Sequence, residues 1–223
     1  VLAVIFLIFN EGYVATSGTE LARGKLCVEA IRLARMLVEL MPDESEAAGL
    51  LALMLLTEAR RPARTDADGA LVRLADQDRS QWDADLIAQG RAIVRACLRR
   101  NQPGRFQLLA AINAVHTDPV TDWKQIVALY DQLAQLDPSP VVRLNRAVAL
   151  AEIEGPAAAL RLVDDLDLNT FHLFHAVRGD LLARLGRTGE AQQAFEAAAS
   201  LTGNQAERAY LIARRNQLGD IPG

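Results

Sequence analysis

Between Gly179 and Leu201 the chain sets small residues at Gly179, Gly186, Ala191 and Ala198 among the larger apolar side chains of Leu182, Phe195 and Leu201. These offsets are helical. They put Gly or Ala where two antiparallel helices must approach closely and leave the larger side chains to fill the groove beside them. The turn Gly186-Arg-Thr-Gly-Glu190 is short enough to join the two helices tightly. The same second-half spacing returns at Ile126, Tyr130, Leu133, Leu136 and Pro138, and again at Ala30, Ala34, Leu37, Leu40 and Pro42. Val141 to Leu166 reads as a looser, shortened unit that turns at Gly155.

A helix pair of this kind buries its apolar face only against neighbouring pairs, so a stable array needs three or more of them. The spacing predicts an all-α fold, an irregular tetratricopeptide-like helical repeat of about 10–11 helices, an α-solenoid wound as a right-handed superhelix, in a single domain over residues 1–223. Helices are predicted at about 1–10, 20–41, 44–60, 83–100, 104–117, 122–136, 140–153, 156–166, 170–185, 188–201 and 204–217, with no alternating strand between them. Pro42, Pro62, Pro103, Pro138 and Pro156 fall at the junctions, where proline starts a helix or cannot continue one. Asp43, Thr188 and Asn204 are placed to cap the helices that follow.

Composition supports helices over strands, since aromatics make up only 5% of the chain and Ala and Leu take their place. A formal charge of -4 argues against this segment gripping a phosphate backbone, which needs a surplus of Lys and Arg. Cys27 and Cys97 stand far apart in apolar helical contexts and read as reduced, buried hydrophobes in a cytoplasmic protein. The opening run Val1 to Phe9 is too short to span a bilayer and lacks the basic flank of a signal peptide. It reads as part of a helix in a longer polypeptide, with no membrane partner.

Residues 60–83 do not fit the repeat. Arg60, Arg61, Arg64, Asp66, Asp68, Asp76, Asp78, Arg79 and Trp82 make a charge-dense insertion, and connections of this length inside a compact domain are usually functional or disordered. The carboxylates of Asp66, Asp68, Asp76 and Asp78 are expected to pair with Arg60, Arg61, Arg64 and Arg79 and fold the insertion back onto the helices. Asp66, Asp68 and Gly69 match only the start of a calcium loop, with no terminal bidentate Glu. His172 and His175 lie one turn apart without a third ligand, so neither a metal nor another cofactor is expected. His116 ends a helix, where a cationic ring suits the dipole. The polar stretch Asn10 to Gly18 is expected to be a connector whose Asn10, Glu11 and Tyr13 line the same surface as the insertion. Nucleophile-elbow, phosphate-loop and zinc-protease motifs are absent, and the reading is a binding module and not an enzyme.

The stretches Leu7-Ile-Phe-Asn-Glu-Gly-Tyr13, Leu50-Leu-Ala-Leu-Met-Leu-Leu56, Ala59-Arg-Arg-Pro-Ala-Arg-Thr-Asp-Ala-Asp-Gly69, Asp76-Gln-Asp-Arg-Ser80, Ala110-Ala-Ile-Asn-Ala-Val-His116 and Leu144-Asn-Arg-Ala-Val148 resemble the C-terminal extension of a group of extracytoplasmic-function (ECF) RNA polymerase sigma factors. The resemblance runs over essentially the whole chain and is most specific at Ala59 to Asp66. It implies a bacterial transcription-initiation factor in which sigma domains 2 and 4 lie upstream, outside this chain, and read the promoter. The implied partners are those sigma domains, the RNA polymerase core and, through the missing domains alone, promoter DNA. The tail would then control transcription initiation, or alternatively sense a small molecule or metal near the charged insertion.

Overall fold

The computed structural model describes residues 1–14, 20–67 and 70–219, and those residues form an all-α fold. Its helices are α1 (Leu2–Val14), α2 (Glu20–Leu40), α3 (Ser45–Glu58), α4 (Ala84–Arg100), α5 (Arg105–His116), α6 (Trp123–Leu136), α7 (Pro140–Glu154), α8 (Pro156–Asp164), α9 (His172–Arg184), α10 (Thr188–Leu201) and α11 (Gln205–Gln217). Three 3-10 turns, Arg61–Ala63, Leu74–Asp76 and Arg79–Gln81, lie within the insertion. From α2 onward the boundaries fall within about two residues of those read from periodicity. No helix among the described residues is long and apolar enough to cross a membrane.

One boundary is corrected. α1 runs on through Asn10, Glu11, Gly12 and Tyr13 instead of giving way to a connector, because Phe9 and Tyr13, four residues apart, stack with their ring centroids 5.7 Å apart. The rest of that expected connector, residues 15–18, lies outside the described residues.

The caps follow tertiary position as much as sequence. Asn204 caps α11 as expected, accepting from the backbone N of Ala206 at 2.9 Å and of Glu207 at 3.1 Å. Glu44 rather than Asp43 caps α3, accepting from Glu46 N at 3.2 Å. Thr188 is already the first residue of α10, so it has no cap role. α5 begins after Gly104, which has no side chain to offer, and the carboxylate of Glu46 on α3 accepts from Phe106 N at 2.9 Å and Gln107 N at 3.1 Å in its place.

The chain divides into two compact units. The first comprises Val1–Asp66, Val72–Asp122 and Gln135–Asp137. At its centre α3 is buried from Gly49 through Leu56 on every side and packs against α1, α2, α4 and α5, which is why this segment is a continuous apolar run without a polar face. Two glycines permit the close crossings. A Cβ on Gly49 would lie 2.6 Å from Gln107 N, and one on Gly90 would lie 2.6 Å from Leu56 Cγ.

The second unit comprises Ala67–Leu71, Trp123–Ala134 and Pro138–Gly223. Here α7, α8, α9, α10 and α11 each pack on the next. Gly179 lets the Phe195 ring come in until an added Cβ would be 3.0 Å from it, as the repeat spacing requires. Leu182 and Ala198 are fully buried beside it. The expectation fails at one register position, since Leu40, Leu136 and Leu201 are 77%, 52% and 43% exposed. Each is the last residue of its helix, past the turns that a neighbour covers. Ion pairs brace the second unit from outside the core: Arg178 to Asp164 at 2.8 Å, Arg184 to Glu152 at 2.7 Å and Arg214 to Asp180 at 2.7 Å.

Candidate functional site

The arginines of the insertion face inward on the first unit. The 3-10 turn begins where α3 ends, and Pro62 within it fixes the backbone for a tight turn. This sends Arg60, Arg61 and Arg64 in three directions. Arg61 donates from Nε and Nη2 to the two carboxylate oxygens of Glu58, at 2.7 and 2.9 Å, and also from Nη2 to Cys27 Sγ at 2.7 Å. Arg64 donates from Nη1 to the Tyr13 carbonyl at 2.6 Å, and its guanidinium sits 4.1 Å from the Tyr13 ring centroid. Arg60 turns into the protein and donates from Nη2 to Asn113 Oδ1 at 2.6 Å.

The far end of the insertion closes onto the same region. Asp83 N donates to the Ala59 carbonyl at 2.9 Å, which sets Trp82 beside Arg60 along the backbone. Trp82 is buried, with the Arg79 guanidinium 5.1 Å from its ring centroid. Arg79 also donates to the backbone carbonyls of Asp118 and Pro119, just past the end of α5.

These contacts correct the expected pairing for Asp76 and Asp78, neither of which meets Arg60, Arg61, Arg64 or Arg79. Among the described residues, the arginines take Glu58, Asn113, Tyr13 and main-chain carbonyls instead. Asp76 pairs with Arg73 at 2.7 Å. Asp78 folds back on its own turn, accepting from Ser80 N at 3.0 Å, Ser80 Oγ at 2.7 Å and Gln81 Nε2 at 3.1 Å, and the Ser80 bonds hold its carboxyl below the usual range. Asp66 is exposed, and Asp68 lies outside the described residues, as does Gly69 of the partial calcium pattern. Asn10 is half-buried and Glu11 exposed on α1. Of the proposed surface, then, Tyr13, Arg60, Arg61, Arg64, Arg79 and Trp82 are gathered on one corner of the first unit, while Asp76 and Asp78 bond elsewhere.

Five residues join this corner that sequence reading did not assign to it: Phe9, Cys27, Glu58, Asn113 and His116. Only the spacings of Phe9 with Tyr13 and of Glu58 with Arg61 left a mark in the sequence. Burial pushes the Cys27 thiol up to about 11, outweighing the opposite pull of Arg61. His116 departs furthest from expectation. Burial first, then the charges of Arg60 and Arg79, push it down to about 4, so the ring is neutral at pH 7 and does not act as a cation on the helix dipole. His172 and His175 share no centre: His172 Nε2 lies 3.2 Å from Glu207 Oε2, and His175 Nε2 lies 2.8 Å from the Asn169 carbonyl.

The corner is rich in donors, with aromatic faces under three of its guanidiniums, those of Arg61, Arg64 and Arg79. Such an arrangement holds an extended charged segment in place and is suited to an anionic group.

Residues 1–98 match a family of unknown function, DUF6596. An uncharacterized protein of Rhizobium meliloti (strain 1021) is 45% identical over 228 residues, an alignment that takes in all of this chain and 54% of the relative. The chain therefore spans about half the length of that relative. No solved structure matches this chain.

Proposed function

We propose that this chain is the C-terminal regulatory and protein-interaction domain of a bacterial ECF sigma factor. It acts in the cytoplasm and sets whether sigma domains 2 and 4 of the same polypeptide engage the RNA polymerase core and promoter DNA. The observation that carries the reading is the two-faced α1. Ile5 and Phe9 are buried in the first unit, whereas Val4 and Leu7 are 59% and 66% exposed. Apolar residues in one stripe on a helix mark a surface that another protein element covers. A relative nearly twice as long has room for promoter-reading domains, and the chain's charge of -4 leaves DNA contact to them. The alternative, a domain that senses a small molecule, draws on the donors of the arginine corner.

The test belongs on α1. Reversing the charge of Arg60 or Arg61 would strip Asn113 or Glu58 of its partner and disturb the fold itself. Val4→Glu and Leu7→Glu, made together in the full-length polypeptide, change only exposed positions. The reading expects transcription from a cognate promoter to change at least several-fold while the helical signal stays intact. Unaltered transcription from the folded double variant would sink it.

A further inference from the structure

Buried hydrogen-bonding groups are nearly always partnered inside a folded protein. Among the described residues three buried side-chain atoms lack a protein partner, Arg60 Nε, Gln77 Oε1 and Trp82 Nε1, and all three belong to the insertion. Two of them are donors, on residues that the Asp83 to Ala59 backbone bond draws together. Arg79, exposed over the Trp82 ring, forms the side of the corner open to water. His116, influenced by both Arg60 and Arg79, stands with them as a neutral ring.

The charge balance points the same way. A guanidinium taken out of water is normally matched by a carboxylate. Among the described residues no carboxylate pairs with the inward-turned Arg60 or the half-buried Arg64, nor with Arg79 at the exposed edge, and their partners are an amide, main-chain carbonyls and aromatic faces. The neighbouring acid, Asp118, is taken by Arg91 at 2.6 Å. The corner thus combines unpaired donors with unneutralised positive charge, and an oxygen anion supplies both what the donors and what the charge call for.

We propose that Arg60, Arg79 and the Trp82 indole form a receptor for a small oxyanion, a phosphate or carboxylate group on a metabolite-sized ligand. The guanidiniums donate to the anion's oxygens from the N–H groups that Asn113 and the main-chain carbonyls leave over, and the indole N–H adds a donor that fixes the orientation. The inference stands apart from the sigma-factor reading, since it concerns a ligand and not α1. The same chemistry could arrive on an acidic side chain of a partner protein, and titrating the isolated chain with free anions separates the two sources.

Trp82 reports directly. The chain has two tryptophans, so Trp123→Phe leaves Trp82 as its sole indole. Inorganic phosphate and succinate are titrated separately into this variant, with sodium chloride at equal ionic strength as the control. The proposal expects a saturable change in Trp82 emission and a rise in melting temperature with phosphate or succinate, and neither with chloride. Arg79→Gln, at an exposed position, should weaken the response at least about tenfold, and Arg60→Met should abolish it. If Arg60→Met fails to fold, Arg79→Gln alone decides. No saturable response to either anion, or an unchanged response in folded Arg79→Gln, overturns the proposal.

Discussion

Arg64 closes α1 twice, donating to the Tyr13 carbonyl at 2.6 Å while its guanidinium lies 4.1 Å from the centroid of the Tyr13 ring. A residue from the insertion therefore holds both the main chain and the side chain of that helix's last turns. Arg64→Ala should cost about 2 kcal/mol, the sum of a charge-assisted hydrogen bond and a cation–π contact. Arg64→Lys keeps the charge but not the planar fork and should recover only part of this. Urea unfolding midpoints should rank native above Lys above Ala, and coincident midpoints would contradict the bracing role.

Glu46 does for α5 what no residue of α5 can, accepting from two of its first N–H groups across the helix crossing. Glu46→Ala leaves those donors without the carboxylate and should destabilise the chain by about 2 kcal/mol. Glu46→Gln keeps an acceptor and should cost about half as much. Denaturation of both variants checks the ordering, and an Ala variant as stable as the Gln variant would count against the cap.

His116 gives stability a dependence on acid. Its ordinary value of 6.5 is pushed down to about 4 in the fold, so below 6.5 the unfolded chain takes up a proton that the folded chain refuses. The contribution is complete above 6.5, falls as pH drops, and levels off below about 4 at a loss of at most about 3 kcal/mol. His116→Gln should flatten this part of the stability profile between those values. A variant with the native slope would show that other groups set it.

Gly49 faces the backbone of Gln107, with no flexible side-chain tip to yield, and a Cβ there would stand 2.6 Å from the amide nitrogen. Gly49→Ala should therefore cost about 2 kcal/mol or more, although Ala favours helices elsewhere. Gly24, on α2 with nothing within 4 Å of an added Cβ, is the control, and Gly24→Ala should be neutral or stabilising. Thermal melts of the pair should move in opposite directions or separate by several degrees.

The helices were legible because period and punctuation are local. Gly179 against Phe195 and the cap at Asn204 were readable for the same reason, each residue acting on a neighbour the spacing identifies. The arginine corner was legible only as a place. Its residues are distinctive in sequence, but Arg60 pairs with Asn113 at a separation of 53 residues and Arg64 with Tyr13 at 51, choices made by helix packing. The nearby aspartates offered the simpler pairing, yet the fold gives Asp76 to Arg73 and turns Asp78 back on Ser80. His116 was misread for a related reason, since burial and two distant arginines outweigh the dipole of its own helix.

The all-round burial of α3 has a consequence for how the first unit comes apart. α1, α2, α4 and α5 all lean on one helix, so none can open without exposing apolar surface that the others share. The first unit should lose its amide protection in a single concerted event, whereas the second, where each helix leans on the next, has a route to stepwise fraying.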